Sequence, residues 1–254
     1  MIKQSNKWMI LFSVLFANSC SGTIDRSLSP PPDTQWVKVE VKNPSPYTRP
    51  FPLKVVYISH RCLKSRISGV DGSRIEEPSY YGMKIPLEQQ GNSNVWNTKV
   101  AMLGGGTCQW TLSEFTMGIE YSDATHLGKE LVPGTGVGVI MAFDSKASQN
   151  GTFSSAYGNV VLSPQYYPLI DNNIQINNDA TLNLFGEEEF LKKRIYVKNN
   201  EVSISFEPNL DESKIVKMVA PKEHKNGEFY KIIYPDGTVV SDGSIHPDIN
   251  KLMK

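Results

Sequence analysis

The first twenty residues decide the compartment in which the rest of the chain must fold. Lys3 and Lys7 give a basic start. An apolar run extends from Trp8 to Ala17, and small polar residues lead to Cys20. This order is the layout of a secretory signal peptide, and the run is too short to cross a hydrocarbon layer about 30 Å thick. The sequence therefore predicts an exported chain.

The cysteine that ends this segment is typical of a lipid anchor. Ser19 precedes Cys20 and Ser21 follows it. The arrangement resembles the lipobox of bacterial lipoproteins, in which the cysteine is acylated and becomes the first residue of the mature chain. It departs from that pattern three positions before the cysteine, where Ala17 replaces the usual leucine. The resemblance implies a signal peptide at 1–19 and lipidation of Cys20. An ordinary cleaved signal with a spare cysteine and an uncleaved anchor are the alternatives.

The balance of charges argues against a nucleic-acid partner. The chain has 26 basic and 26 acidic residues, and loss of Lys3 and Lys7 with the signal leaves 24 and 26, a formal net charge of −2. Nucleic-acid binding needs a clustered basic face, which this composition does not supply. Membrane attachment would therefore rest on acyl chains, and stable anchoring requires two or more of them.

The other two cysteines, Cys62 and Cys108, form an even pair in an exported chain, and such pairs usually oxidise. They are 46 positions apart. By loop entropy, a bridge of that span stabilises a fold by about 4 kcal/mol. Only His60 lies near either cysteine, and one cysteine with one histidine cannot complete a tetrahedral metal site. The sequence predicts a Cys62–Cys108 disulfide, no metal and no other cofactor.

Alternating polar and apolar residues predict a mainly β body. Residues 20–34 contain three consecutive prolines and favour an extended tether. Valines alternate with charged residues over 36–42, as in a half-buried strand. Further segments with strand character are 53–59, 95–102, 137–143 and 152–162. Trp96 lies between the two paired cysteines, as in immunoglobulin-like sandwiches, whereas Trp110 does not. The expectation for 35–163 is therefore limited to a β-sandwich-like domain.

The C-terminal part, 164–254, is expected to be a smaller β-rich region with one short helix. The helix is predicted at 187–195, where glutamates open the segment and basic residues close it. That order complements a helix dipole. Two hairpins are expected after it, one with an Asn-Asn turn within 196–204 and one with a Pro-Asp-Gly turn within 230–240.

The motifs supply no catalytic machinery. The glycines of 134–138 precede a β-branched run and lack the lysine of a phosphate loop, so they predict a turn. The sequence has no nucleophile elbow, and its four histidines lack metal-ligand spacing. His126 near Asp123 is compatible with a general base, although a polar loop histidine is the simpler interpretation. The chain is not expected to be an enzyme.

Two tyrosine pairs are the candidates for partner binding. Tyr80 and Tyr81 form one pair, and Tyr166 and Tyr167 form the other. Both pairs lie beside prolines in segments predicted as loops. Tyrosine is large, rigid and amphipathic, and it frequently anchors protein interfaces. Carbohydrate stacking on these rings and simple packing of loop tyrosines on the body are the alternatives.

Three segments resemble uncharacterised lipoproteins of Gram-negative bacteria. They are 66–72, 118–128 and 231–237. Such lipoproteins are similar to the immunity partners of type VI secretion phospholipase effectors, and the resemblance covers most of the mature chain. It implies a periplasm-facing lipoprotein that binds an incoming lipase toxin and blocks it, and it identifies no binding residue. A membrane tether would raise the inhibitor's local concentration where the toxin meets lipid.

Two other functions are compatible with the sequence. One is a structural or assembly lipoprotein of the cell envelope or of a secretion apparatus. The other is a ligand-binding or hydrolytic lipoprotein. Ser21 after the lipidated cysteine resembles outer-membrane sorting in enteric bacteria. The expected location is therefore the periplasmic face of the outer membrane.

Overall fold

The computed structural model describes residues 23–149, 151–172, 179–197, 202–221 and 227–253. Strands make up 53% and helical residues 3%, and no described helix reaches seven residues. The predicted fold class, mainly β and β-sandwich-like, is confirmed. The predicted signal peptide and Cys20 lie outside the described residues.

Within the described ranges, twenty strands form, numbered here in chain order. The first ten are β1 (Trp36–Lys42), β2 (Thr48–Pro50), β3 (Leu53–Ile67), β4 (Arg74–Ile85), β5 (Glu88–Gln89), β6 (Val95–Ala101), β7 (Leu103–Gly105), β8 (Trp110–Tyr121), β9 (Leu131–Pro133) and β10 (Val137–Ala142). The other ten are β11 (Ser154–Tyr157), β12 (Val160–Leu162), β13 (Gln165–Asn172), β14 (Ala180–Phe185), β15 (Phe190–Tyr196), β16 (Val202–Phe206), β17 (Asn209–Leu210), β18 (Val216–Val219), β19 (Lys231–Ile233) and β20 (Val239–Val240). The helical residues are two 3-10 turns, Ala147–Gln149 and Ile249–Lys251.

The strands assemble into three sheets. The five-stranded sheet has the order β12-β16-β1-β6-β5. The eight-stranded sheet has the order β11-β15-β10-β8-β3-β4, and β2 and β7 also pair with β8. The seven-stranded sheet has the order β20-β19-β18-β13-β14-β9, and β17 also pairs with β13.

One large hydrophobic core joins the three sheets. The alternation predicted for β1 buries its valines and leaves its charged residues exposed or half-buried. Val39 of this strand, Phe115 of β8 and Leu182 of β14 belong to the same buried cluster. A smaller cluster around Val216 and Leu252 lies under the C-terminal strands. The inward side chains of the sheets thus share one interior, as expected for packed β layers.

The segment predicted as a helix is a strand, so this prediction is wrong. β15, which occupies most of 187–195, pairs in parallel with β10 on one side and β11 on the other. An isolated helix of this length is marginal in water, whereas two neighbouring strands satisfy the backbone of β15 on both edges. Tertiary pairing therefore overrides the charge order of the segment.

The two predicted hairpins have different outcomes. β15 and β16 lie in different sheets, so a hairpin within 196–204 does not form, and its Asn-Asn turn lies outside the described residues. β19 and β20 pair antiparallel across the Pro-Asp-Gly turn, which confirms the second hairpin. The carboxylate of Asp236 accepts a hydrogen bond from the Thr238 amide over 2.9 Å, as turn chemistry requires.

The predicted division at residue 163 does not separate the sheets. β15 and β16 come from the C-terminal part, yet they pair with β10 and β1 of the preceding part. Both pairings are parallel, and parallel strands need long crossover connections. Directly after this division, β13 (Gln165–Asn172) lies near the middle of the seven-stranded sheet.

The N-terminal segment before β1 packs on the body. The Trp110 indole N–H donates to the Asp25 carbonyl oxygen over 3.1 Å. Ser29 forms a parallel bridge with Gly105. A side chain on that glycine would collide with the Ser29 carbonyl group, so only glycine allows the two backbones to approach. Within the tether predicted over 20–34, the described residues 23–34 are therefore held against the body at these points.

Candidate functional site

One face of the eight-stranded sheet carries exposed tyrosines. Directly paired residues share a face of a sheet, as do alternate residues along a strand. A row of paired residues crosses the sheet from β15 to β4: Arg194, Ala142, Glu114, Val56 and Gly82. Tyr196 lies two residues after Arg194 along β15, and Tyr80 lies two residues before Gly82 along β4, so both are on the same face as the row. Tyr157 pairs directly with Tyr196. We call the surface formed by Tyr80, Glu114, Tyr157, Arg194 and Tyr196 the tyrosine face.

Two of these tyrosines form an ordered pair with an arginine. The ring centroids of Tyr157 and Tyr196 lie 5.1 Å apart, with 21° between the ring planes. The Arg194 guanidinium lies over the Tyr196 ring, 5.1 Å from its centroid, which is within the range of cation–π attraction. Tyr157 is 56% exposed and Tyr196 is 38% exposed. Tyrosine and arginine are also the residue types that dominate binding energy at protein interfaces.

The middle of the tyrosine face is acidic. Burial raises the pKa of Glu114, and the neighbouring Asp144 carboxylate raises it further. The pKa of Tyr80 is raised by burial and then by Asp144, Glu77 and Glu114. The Lys64 ammonium lies over the Tyr80 ring, 5.8 Å from its centroid. The face thus combines carboxylates at its centre with aromatic rings on both sides.

Tyr81, Tyr166 and Tyr167 are not part of this face. Tyr81 points to the opposite side of β4 and packs with its ring centroid 6.0 Å from that of Trp110. Tyr166 and Tyr167 are buried in β13. Tyr166 is 1% exposed and Tyr167 is 3% exposed, so neither offers the broad ring surface that the predicted partner binding would use. All four tyrosines lie in strands rather than in the expected loops, and Tyr80 is the most accessible of them.

Sequence reasoning missed Tyr157 and Tyr196. A partial signal for Tyr196 was present, because Arg194 and Tyr196 flank the buried Ile195, as polar and apolar residues alternate in a strand. The charge order that suggested a helix concealed this period. Tyr157 lies in a polar segment, and only the pairing of β11 with β15 brings it against Tyr196.

His126 is bonded to Glu212 and not to Asp123. The His126 Nε2 atom lies 3.0 Å from Glu212 Oε1, and its ring stacks on Tyr47 at 3.7 Å between centroids. The Asp123 carboxylate instead accepts hydrogen bonds from the Thr125 amide and hydroxyl. Asp123 therefore does not orient the imidazole as a general base would require, and the cluster serves to fasten three loops together.

The predicted disulfide joins Cys62 to Cys108, with 5.2 Å between their Cα atoms. β3 pairs with β8 only as far as Ile58. Beyond that point it continues to Ile67 with β4 as its partner in the described structure. We call this two-stranded extension, residues 60–78, the arm. The disulfide thus fastens the base of the arm to the body.

The described residues give no sign of a metal centre. Within the described ranges, no three histidine, cysteine, aspartate or glutamate side chains are grouped to hold a metal ion. In the same part of the chain, no helix is long and apolar enough to span a membrane. Comparison of the chain with protein-family models, with curated proteins and with solved structures finds no match.

Proposed function

We propose that the chain is a lipid-anchored, periplasm-facing lipoprotein that binds a protein partner through the tyrosine face. The observation that carries this proposal is the Tyr157–Tyr196 stack with Arg194 lying over one ring. Each of these side chains is held by its neighbours before a partner arrives. A partner that docks here would therefore order little additional side-chain structure, and such ordering is a main cost of association.

In this proposal the partner is a type VI secretion phospholipase effector, which the lipoprotein neutralises as an immunity protein. The resemblance of three segments to Gram-negative lipoproteins of this kind supports the choice. The acidic centre of the tyrosine face, with Glu114 and Asp144, favours a partner surface that presents basic residues. Anchoring at the periplasmic face of the outer membrane would hold the inhibitor close to the lipid that the toxin attacks.

Co-expression tests this function directly. Type VI phospholipase effectors are directed to the periplasm of cells with or without the lipoprotein, and lysis is followed by turbidity. We expect the lipoprotein to prevent lysis by its cognate effector and to copurify with it. Unchanged lysis with every effector, together with the absence of any complex, would refute the proposal.

A double substitution, Tyr157→Ala with Tyr196→Ala, is expected to weaken binding of the neutralised effector by about 30-fold or more. Loss of an interface hot spot costs at least about 2 kcal/mol. The measurement is the dissociation constant by calorimetry. Phe229→Ala is the matched control, because this exposed ring lies near β20 in another sheet. Equal affinities for wild type and the double variant would place the binding surface elsewhere.

Replacement of Cys20 by alanine is expected to release the protein into the soluble periplasmic fraction. Without the thiol there is no site for acylation, and the described residues contain no membrane-spanning helix. Fractionation and immunoblotting measure the distribution, and incorporation of labelled palmitate into the wild type is the control. A variant that stays in the membrane fraction would contradict the lipid anchor.

A further inference from the structure

The arm presents apolar side chains at its far end. Ile67 is 73% exposed and Val70 is 97% exposed. The turn between them and β4 is closed by the Ser68 amide, which donates to the Ser73 carbonyl oxygen over 2.7 Å. Single exposed apolar residues are ordinary on protein surfaces. Ile67 ends β3 and Val70 lies in the turn that follows, so both side chains are at the far end of the arm and outside the protein core.

The arm and the N-terminal segment lie at the same end of the body. The Trp110 indole N–H donates to the Asp25 carbonyl oxygen. Trp110 follows Cys108 by two positions, and Cys108 is bridged to Cys62 at the base of the arm. The chain that leads back to the lipidation site therefore leaves the body beside the arm.

The chain between the lipid and the body is short. Five residue steps separate Cys20 from Asp25, and at about 3.6 Å per residue they span at most about 18 Å. The arm extends over a comparable distance, because the five steps from Cys62 to Ile67, the last residue of β3, span about 17 Å at ~3.3 Å per strand residue. A lipidated protein is thus held with this end close to the bilayer, within a distance that the arm can span.

We propose that the arm is a second membrane contact, with Ile67 and Val70 inserted into the interface of the bilayer that carries the lipidated Cys20. This inference rests on the proposed lipid anchor and adds an orientation to it. The charged group at the tip, the Asp71 carboxylate, is also compatible with the polar headgroup region of a bilayer. The Asp71 carboxylate accepts hydrogen bonds from the Ser73 amide and hydroxyl, so its charge is solvated within the turn.

The arm also places basic side chains behind its apolar tip. They are Arg61, Lys64, Arg66 and Arg74. The Arg66 guanidinium pairs with Glu77 at 2.5 Å, and the Arg74 guanidinium donates to the Ser65 hydroxyl. Long basic side chains beside an inserted apolar tip can extend to the lipid phosphate groups while the tip enters the boundary of the acyl chains.

Fluorescence in proteoliposomes tests the orientation. The lipidated protein, carrying Val70→Cys labelled with an environment-sensitive dye, is reconstituted into phosphatidylethanolamine–phosphatidylglycerol vesicles. Lys129→Cys is the matched control, because Lys129 is exposed and lies in the segment that follows β8, which starts beside the arm and ends at Tyr121. Cys20 is acylated, and Cys62 and Cys108 are bridged, so each variant has one reactive thiol.

We expect the dye at position 70 to shift to shorter wavelength and to lose about half of its emission to brominated lipids. The dye at position 129 is expected to remain unquenched. Flotation of the same sample separates the two proposals. Protein that floats with an unquenched dye at position 70 would overturn the arm contact and leave the anchor intact. Protein that does not float would overturn the anchor, and the arm contact with it.

Discussion

Replacement of Cys62 and Cys108 together by serine is expected to lower the melting temperature by roughly 8–16 °C. The bridge closes a loop of 46 positions, and loss of that constraint costs about 4 kcal/mol by loop entropy. In a chain of this size, each kcal/mol shifts the melting temperature by about 2–4 °C. Thermal unfolding followed by circular dichroism under non-reducing conditions measures the effect. The wild type treated with a reductant is the control and should match the variant.

The same substitution is expected to loosen the arm more than the core. The bridge joins the arm to the start of β8, and hydrogen bonds of the Ser59 hydroxyl add a second connection at this point. The Ser59 hydroxyl donates to the Cys108 carbonyl oxygen over 2.6 Å and accepts from the Cys62 amide over 2.9 Å. A two-stranded ribbon is marginally stable without such support. Hydrogen exchange should therefore rise first over 60–78. A uniform rise through β1 and β8 would show that the bridge acts on the whole fold instead.

Local signals in the sequence were sufficient for part of the fold. The valine alternation of β1 and the Pro-Asp-Gly turn before β20 each depend on a few adjacent residues, and both predictions are confirmed. The Cys62–Cys108 bridge followed from the redox conditions expected after export, and the structure contains it. In these cases the physical cause lies within a short segment or in a simple count.

Long-range pairing accounts for what the sequence did not reveal. β15 carries the charge order of a helix, yet it is held as a strand by β10 and β11, which come from distant parts of the chain. The same parallel pairings create the tyrosine face, because they bring Tyr157 against Tyr196 and set Arg194 in line with Glu114. Local periodicity in the sequence predicts neither the Tyr157–Tyr196 pairing nor the alignment of Arg194 with Glu114.

The close approach of β8 and β10 depends on two glycines. Gly118 and Gly138 lie directly opposite each other in this antiparallel pair. A methyl group on Gly138 would collide with the carbonyl oxygen of Met117 and would lie 2.8 Å from the Gly118 Cα atom. Both obstacles are backbone atoms of the neighbouring strand, so no side-chain rotation can relieve the collision. The strands themselves would have to separate.

Gly138→Ala is therefore expected to destabilise the protein by about 3 kcal/mol, in the upper range for overpacking, and to lower the melting temperature by roughly 6–12 °C. Gly82→Ala is the matched control in the same sheet, because an added methyl group meets nothing within 4 Å there. Its expected effect is within about 0.5 kcal/mol. Because β8 and β10 also set the row from Arg194 to Glu114, Gly138→Ala should weaken binding of the proposed effector even below its melting temperature. Equal stability of the two variants would contradict this prediction, because it would show that β8 and β10 can separate without cost. The close approach of the two glycines would then not be what fixes the register that forms the tyrosine face.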